Sequence, residues 1–403
     1  MTRPSRRLVA VAALVAVAAV AAPALGRGRA ERAQGVGLES AALLPFTDGS
    51  HLELSTIRGR DYAFVTTAVG TNSDVELKVI DVTTPEKPRL VARLDCGHFQ
   101  GNIQISHDRR TLILGIDAPA GPESCFPPGE MGFLTVDISN PSRPRPIGYA
   151  LNENGSHSTA AHPTKPFVYN GEGFPDAPGR VQIWSIENPA EPELVGTLDT
   201  GEHSAHDLSF SKDGSMAALA SVTTLKLLDT SDPADPKIEF VTQCPGCVHT
   251  HEARFTPDGE RLVVNDEFVS QPNACPGAAM YFYDVVELPT GRGLSLTGEY
   301  YPEDLVVNGN GELTFCTAHV FGISRDGTKV AAAWHGAGVR YLDISQATGV
   351  TVGAQATLGG VRELGSYLAE GGDTFSAKMH RGPYIYSVDS NRGFEVLRIE
   401  PSL

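Results

Sequence analysis

Short runs of alternating apolar and polar residues recur along most of the chain. Each run closes in a turn rich in Asp, Ser, Thr and Pro. Strict alternation marks half-buried strands. One version of the pattern is a strand followed by a double-proline turn. Leu77-Lys78-Val79-Ile80-Asp81 runs into Pro85 and Pro88, and Phe133-Leu134-Thr135-Val136-Asp137 into Pro141 and Pro144. Val181-Gln182-Ile183-Trp184 leads to Pro189 and Pro192, and Leu225-Lys226-Leu227-Leu228-Asp229 to Pro233 and Pro236. Tyr281–Asp284, Val339–Ser345 and Phe394–Ile399 repeat the strand. A second version precedes several copies and consists of strand, Asp-Gly turn, strand. Asp213-Gly214, Asp258-Gly259 and Asp326-Gly327 are its turns, and Asp-Gly is a favoured hairpin connection.

Each unit therefore holds four antiparallel strands in about 45 to 55 residues, the size of a propeller blade. Seven units begin near Ser50, Phe99, His157, His206, His251, His319 and Asp373. The last lacks an outer strand after Ile399, and Leu38 to Phe46 is placed to supply it. The expected fold is all-β: a seven-bladed β-propeller of four-stranded antiparallel blades, its ring closed by an N-terminal strand that leaves no open sheet edge. Two stacked β-sandwiches are the competing arrangement. Seven equivalent units without a linker argue against it.

The first 24 residues read as a secretory signal rather than structure. Arg3, Arg6 and Arg7 precede an apolar run from Leu8 to Ala22, with Ala22-Pro23-Ala24 as a small-x-small cleavage site. Ser5-Arg6-Arg7 also fits a loose twin-arginine pattern. Residues 25–37 are expected to be flexible and 38–403 to form one propeller domain. The destination is periplasmic or extracellular, and no later run is long enough to span a membrane. The 403 residues carry a formal net charge of −16. That charge excludes nucleic acid, which needs clustered Lys and Arg, and makes an anionic membrane surface a poor partner. A small molecule or a protein remains as the partner.

The Leu-Lys-Val-Ile-Asp and Leu-Thr-Val-Asp copies, each with its Ser/Thr-x-Pro-x-x-Pro turn, resemble the LVIVD repeat of exported bacterial propellers. The resemblance implies the fold and is silent on activity.

Histidines mark one position of the repeat. Five residues before Thr56, Ser106, His162, Ser211, Thr256 and Ser324 stand His51, Gly101, His157, His206, His251 and His319. These positions start the innermost strands, which line a propeller's central channel. Converging imidazoles hold borderline or soft divalent metals. The ends of the second strands return to the same face with Asp117, Glu172, Asp266, Glu267, His335 and Asp389. The expected metal ligands are His157, His206, His251, His319 and His335. Glu267 and Glu172 are the candidate catalytic carboxylates. The competing reading is a non-catalytic scaffold whose inherited histidines bridge channel water.

His206-Asp207-Leu208-Ser209-Phe210-Ser211-Lys212-Asp213 resembles the His-Asp-x-x-x-Ser-x-Asp segment of the selenium-binding protein (methanethiol oxidase) family. His319 to Ser324, then Trp334-His335-Gly336 and Arg340-Tyr341-Leu342-Asp343-Ile344-Ser345, is similar to a second segment of that family. Here His335 follows Trp334 without the family's intervening residue. The resemblance covers about 40 residues in all. It implies a His-bound copper that oxidises a small thiol, with His206, His319 and His335 among the ligands and His251 added by equivalence. Zinc, iron or manganese is the alternative ion.

Six cysteines follow the signal. Cys96 and Cys125 frame blade two much as Cys247 and Cys275 frame blade five. The expected disulfides are Cys96–Cys125 and Cys247–Cys275, leaving Cys244 and Cys316 to join neighbouring blades. The rival reading is a redox or metal pair at Cys244-Pro245-Gly246-Cys247.

Overall fold

The computed structural model describes residues 34–401 apart from 68–75, 97–101, 121–123, 173–178, 202–204, 268–278, 303–315 and 354–359. The signal segment at 1–24 lies outside the described residues. From Ala33 onward the chain forms one compact unit. It is an all-β propeller of seven antiparallel blades, and no described residue is helical. Among the described residues, no helix is long and apolar enough to cross a membrane.

Blades one to four each follow the chain from the axis outward. Blade one runs Gly49–Ile57, Arg60–Thr67, Leu77–Asp81 and Arg89–Leu94. Blade two runs Ile103–Ile105, Thr111–Ile116, Gly132–Asp137 and Arg145–Leu151. Blade three opens with Ser158–Ala161 and blade four with Asp207–Phe210. Thr250–Phe255, Phe321–Ile323 and Thr374–Met379 are the inner strands of blades five, six and seven. The outermost strand of blade seven is Leu38–Pro45, paired antiparallel with Gly393–Ile399. The ring is closed as its sequence implied.

Two additions were not legible. Gln34–Val36 pairs with Arg362–Leu368 on the outside of blade six, so the segment 25–37 expected to be flexible ends in a strand. Gly349–Val352 joins blade five, parallel to Gly291–Tyr301.

The apolar core lies between blades, not within one centre. Seven buried clusters correspond to the seven blade interfaces. Phe64 and Val79 of blade one, for example, pack on Leu112 and Val136 of blade two. Ala63 and Ile80, on the opposite face of blade one, pack on Val388 and Val396 of blade seven. Strand alternation assigns each apolar side chain to one interface or the other. Each blade also carries a β-bulge between its third and outermost strands, as at Val79/Ile80, Ile183/Trp184 and Phe282/Tyr283. Such bulges add twist where the blade reaches solvent.

Cys96–Cys125 forms as expected. The other expectation is corrected: Cys244 pairs with Cys247, so neither Cys247–Cys275 nor Cys244–Cys316 exists. The two-residue Pro245-Gly246 turn already holds the sulfurs together, with Cys247 N donating to Cys244 O at 3.2 Å. This is the pairing of the rival CxxC reading. Cys316 is also disulfide-bonded, and Cys275 lies outside the described residues. Cys96–Cys125 closes a separation of 29 residues. Replacing both by Ala is expected to cost about 3 kcal/mol of stability by loop entropy. Urea unfolding checks it, and a loss below about 1 kcal/mol would contradict the account.

Candidate metal centre

The expected ring of histidines assembles at one end of the channel. His157 to His206, His206 to His251, and His251 to His319 have ring centroids 4.5, 4.5 and 4.2 Å apart. His319 and His335 follow at 5.0 Å. His51 stands further off, 6.0 Å from His319, with Nδ1 on Ser50 Oγ at 2.9 Å.

Backbone bonding fixes where these residues start. His206 N donates to Ala220 O at 2.7 Å and His319 N to Ala333 O at 2.9 Å. His251 occupies a bulge between Thr250 and Glu252, opposite the second strand of blade five. His335 is held differently. It has a left-handed backbone, φ 38°, in the tight turn from Trp334 to Gly338. Its N and O bond to Thr374 O and N, both at 3.1 Å. A non-glycine residue costs about 1 kcal/mol or more in this region.

The ring nitrogens are sorted by their partners. His157 Nδ1 faces Asp117 Oδ2 at 2.9 Å, and His335 Nδ1 faces Asp373 Oδ1 at 2.7 Å. His206 Nδ1 meets the His251 carbonyl at 3.1 Å, and His319 Nδ1 meets the Phe375 carbonyl at 2.7 Å. Carbonyls and carboxylates only accept, so each Nδ1 is the donor and each Nε2 is left to the ring interior. Metal-binding histidines are oriented in this way. His157 Nε2 and His206 Nε2 lie 3.0 Å apart, a repulsive contact for two lone pairs unless a cation or proton sits between them.

Glu267 stands in the middle, 12% exposed at its side chain. Its Oε2 is 3.6 Å from His251 Nε2. Its Oε1 is 3.6 Å from His335 Nε2 and 3.9 Å from His319 Nε2. Two triads result, His206–His251–Glu267 and Glu267–His319–His335, each with ligand atoms within 4.8 Å of one another. These spacings suit ligands about 2.0–2.2 Å from a common ion. Glu267 thus offers a carboxylate oxygen to both triads.

Burial lowers the His51, His206 and His251 imidazoles well below their usual range, and takes His319 down to about 4. They are neutral at pH 7 and able to ligate. Burial acts on His335 in the same direction, but Asp373 and Glu267 outweigh it and push His335 up to about 10. Those carboxylates are held below their usual values in return, against the upward effect of burial. His251 Nδ1 is buried with no hydrogen-bond partner among the described residues.

Glu172 is engaged by neighbours of its own blade. It is fully buried, and Arg180, Asn154 and Gln182 occupy its oxygens at 3.0 to 3.3 Å. Its contacts tie together the strands and turn of blade three. Asp266 accepts from Val248 N and His249 N, holding the approach to His251. Asp389 accepts from Thr374 and from the turn at Asn391. His249 lies in the loop just before Thr250–Phe255, off the repeat position. It is buried, with its ring 4.5 Å from that of His206. The i, i+2 spacing to His251 on an extended segment was the available signal. His162 is structural, accepting from Thr164 N and Lys165 N through Nδ1. His98 and His203 lie outside the described residues.

Residues 129–149 match the model of the LVIVD repeat. No match was found among curated proteins. The Cps50 (Swd1) β-propeller domain of Myceliophteria thermophila is similar with TM-score 0.61 at 11% identity, over 90% of this chain and all of that one. A functionally unknown protein from Desulfotomaculum acetoxidans gives TM-score 0.56 at 14% identity, over 79% of this chain and 89% of that one. At such identities the likeness establishes the propeller fold alone. The protein is a β-propeller with an LVIVD repeat and His/Glu groups arranged for metal.

Proposed function

We propose that this protein is an exported metalloenzyme that oxidises a small molecule at the histidine-lined mouth of its channel, with copper as the ion. The observation that carries the reading is the inward set of Nε2 atoms, each fixed by an acceptor on its Nδ1. A donor set of several imidazoles and a single carboxylate favours a transition ion over calcium or magnesium, which prefer oxygen. The segments at His206 and His319–Ser345 that resemble the selenium-binding protein family support copper and a thiol substrate.

His206, His251, His319, His335 and Glu267 would hold the ion, and His157 would complete the His206 side. A bound copper would supply one-electron steps between substrate and acceptor. In the overall reaction the substrate loses two electrons and two protons to dioxygen, which becomes hydrogen peroxide. Asp117 and Asp373 keep the ligands in the right tautomer. The ring histidines themselves, with Asp207 and Glu252, line a cavity of about 20 Å³, room for about one water.

The test is metal per chain by elemental mass spectrometry on folded protein, beside the His206→Ala/His319→Ala double variant. Copper at one or more per chain, lost in the variant, with thiol-dependent oxygen uptake by wild type, is the expected result. A different ion keeps the centre and removes the oxidase. Wild type that stays empty after copper and zinc are offered overturns the site and leaves a binding scaffold.

A further inference from the structure

The opposite end of the channel holds a second site. There the inner strands end in their turns and enclose a cavity of about 400 Å³, within the usual range for a small ligand. Arg109 and His107 of blade two, Arg325 of blade six, and His380 and Arg381 of blade seven line it. Three guanidiniums thus converge in a chain whose net charge is −16.

The nearby acids are already engaged. Glu53, also in the lining, pairs with Lys378 at 2.6 Å. Asp61 takes His380 at 3.0 Å and Arg381 at 3.8 Å. Asp108 accepts from Arg110 N and Thr111 N in its own turn, and Asp326 from Thr328 N. Arg109 and Arg325 form no ion pair among the described residues, so their guanidinium donors are open to a ligand in the cavity.

The backbone gives the second observation. In blades four, five and six the turn residue after Asp is Gly214, Gly259 or Gly327, with φ between 73° and 78°. Each donates its N–H back to the Ser or Thr before the Asp. Blade two makes the same turn, Arg109 N donating to Ser106 O at 2.9 Å, with Arg109 at φ 55°. An arginine is strained where its equivalents are glycine, and that strain delivers a guanidinium to the cavity. Strain of this kind concentrates at functional sites.

We infer that this cavity binds a small polyanion, a molecule carrying two or more carboxylate or phosphate groups, held by Arg109 and Arg325 from opposite sides of the channel mouth. Arginine suits either oxyanion through paired N–H donors. The inference does not depend on the metal centre, which lies at the other end of the strands.

The experiment is calorimetric titration of the whole protein at low salt with pyrophosphate and, separately, with citrate. Arg109→Gly and Arg325→Gln are run alongside. Wild type is expected to bind at least one probe, and each variant to bind it about 10-fold or more weakly. Pyrophosphate alone marks phosphate as the ligand chemistry, and citrate alone marks carboxylate. Arg109→Gly should also raise the melting temperature, because it relieves the left-handed strain, and should leave bound metal unchanged. Loss of binding in a more stable protein separates recognition from folding. Failure of wild type to bind either probe overturns the inference, as does undiminished binding in both variants.

Discussion

Glu267→Gln is expected to strip metal from the ring, with affinity down at least about 100-fold. The carboxylate belongs to both triads and is the only anionic group in either. An amide keeps the volume and loses the charge. The same change removes one of the two carboxylates that keep His335 protonated, so the His335 imidazole should fall from about 10. Metal uptake carries a matching pH dependence in the wild type. His335 Nε2 must lose its proton before it can ligate, so affinity should rise about tenfold per pH unit below pH 10. The metal-free fold behaves in the opposite sense. His335 is raised above its unfolded value of 6.5, so its stabilisation is complete below that pH and is lost as pH rises through about 10. Competition titrations with a chelator at several pH values check the slope. A flat profile, or tight binding by Glu267→Gln, would show that neither residue is a ligand.

Trp334→Ala is expected to cost about 3–5 kcal/mol, the usual price of removing a buried tryptophan. The side chain is fully buried, packed edge-on against Tyr300 with ring centroids 5.7 Å apart at the interface of blades five and six. Its backbone also closes the turn that carries His335. Trp334 N donates to Gly338 O at 2.7 Å, and Ala337 N donates to Trp334 O at 2.7 Å. The cavity should therefore loosen a strained ligand as well as the core. Equilibrium urea unfolding measures the first effect and metal content the second. Stability within about 1 kcal/mol of wild type would contradict this role for the tryptophan.

The fold was legible because its signals are local and repeated. Period-two alternation, Asp-Gly turns and double-proline turns each report on a few residues, and seven copies reinforce one another. Equivalence then placed His157, His206, His251 and His319, since a repeat puts the same position on the same face. His335 needed a second ruler, the ends of the second strands. That ruler also picked Glu172, and there it fixed the face but not the contacts. A face is set by backbone periodicity, but Arg180 and Gln182 on the neighbouring strand decided what Glu172 would touch. The disulfides show the same limit. Matching blade five to blade two favoured Cys247–Cys275, whereas a two-residue turn brought Cys244 within 5.3 Å of Cys247 at Cα. His249 lies off the repeat position, in a loop, where equivalence between blades gives no guide to what it touches. The bulge beside His251 gave blade five a different count.

The closing strand has a mechanical consequence. Leu38–Pro45 and Gly393–Ile399 are hydrogen-bonded partners, with Ser40 and Glu395 separated by 355 residues. Bringing them together costs about 5 kcal/mol of chain entropy, so the last blade cannot be finished until nearly the whole polypeptide has been synthesised. The register pairs Leu38 with Ile399 and Pro45 with Gly393, so the chain enters the seam at Leu38 and leaves it at Ile399 on the same edge of the blade. A pull between the two ends would open this seam like a zipper, one bond at a time, instead of loading all its bonds together. Gln34–Val36, clipped to blade six, must come away before the first tooth parts.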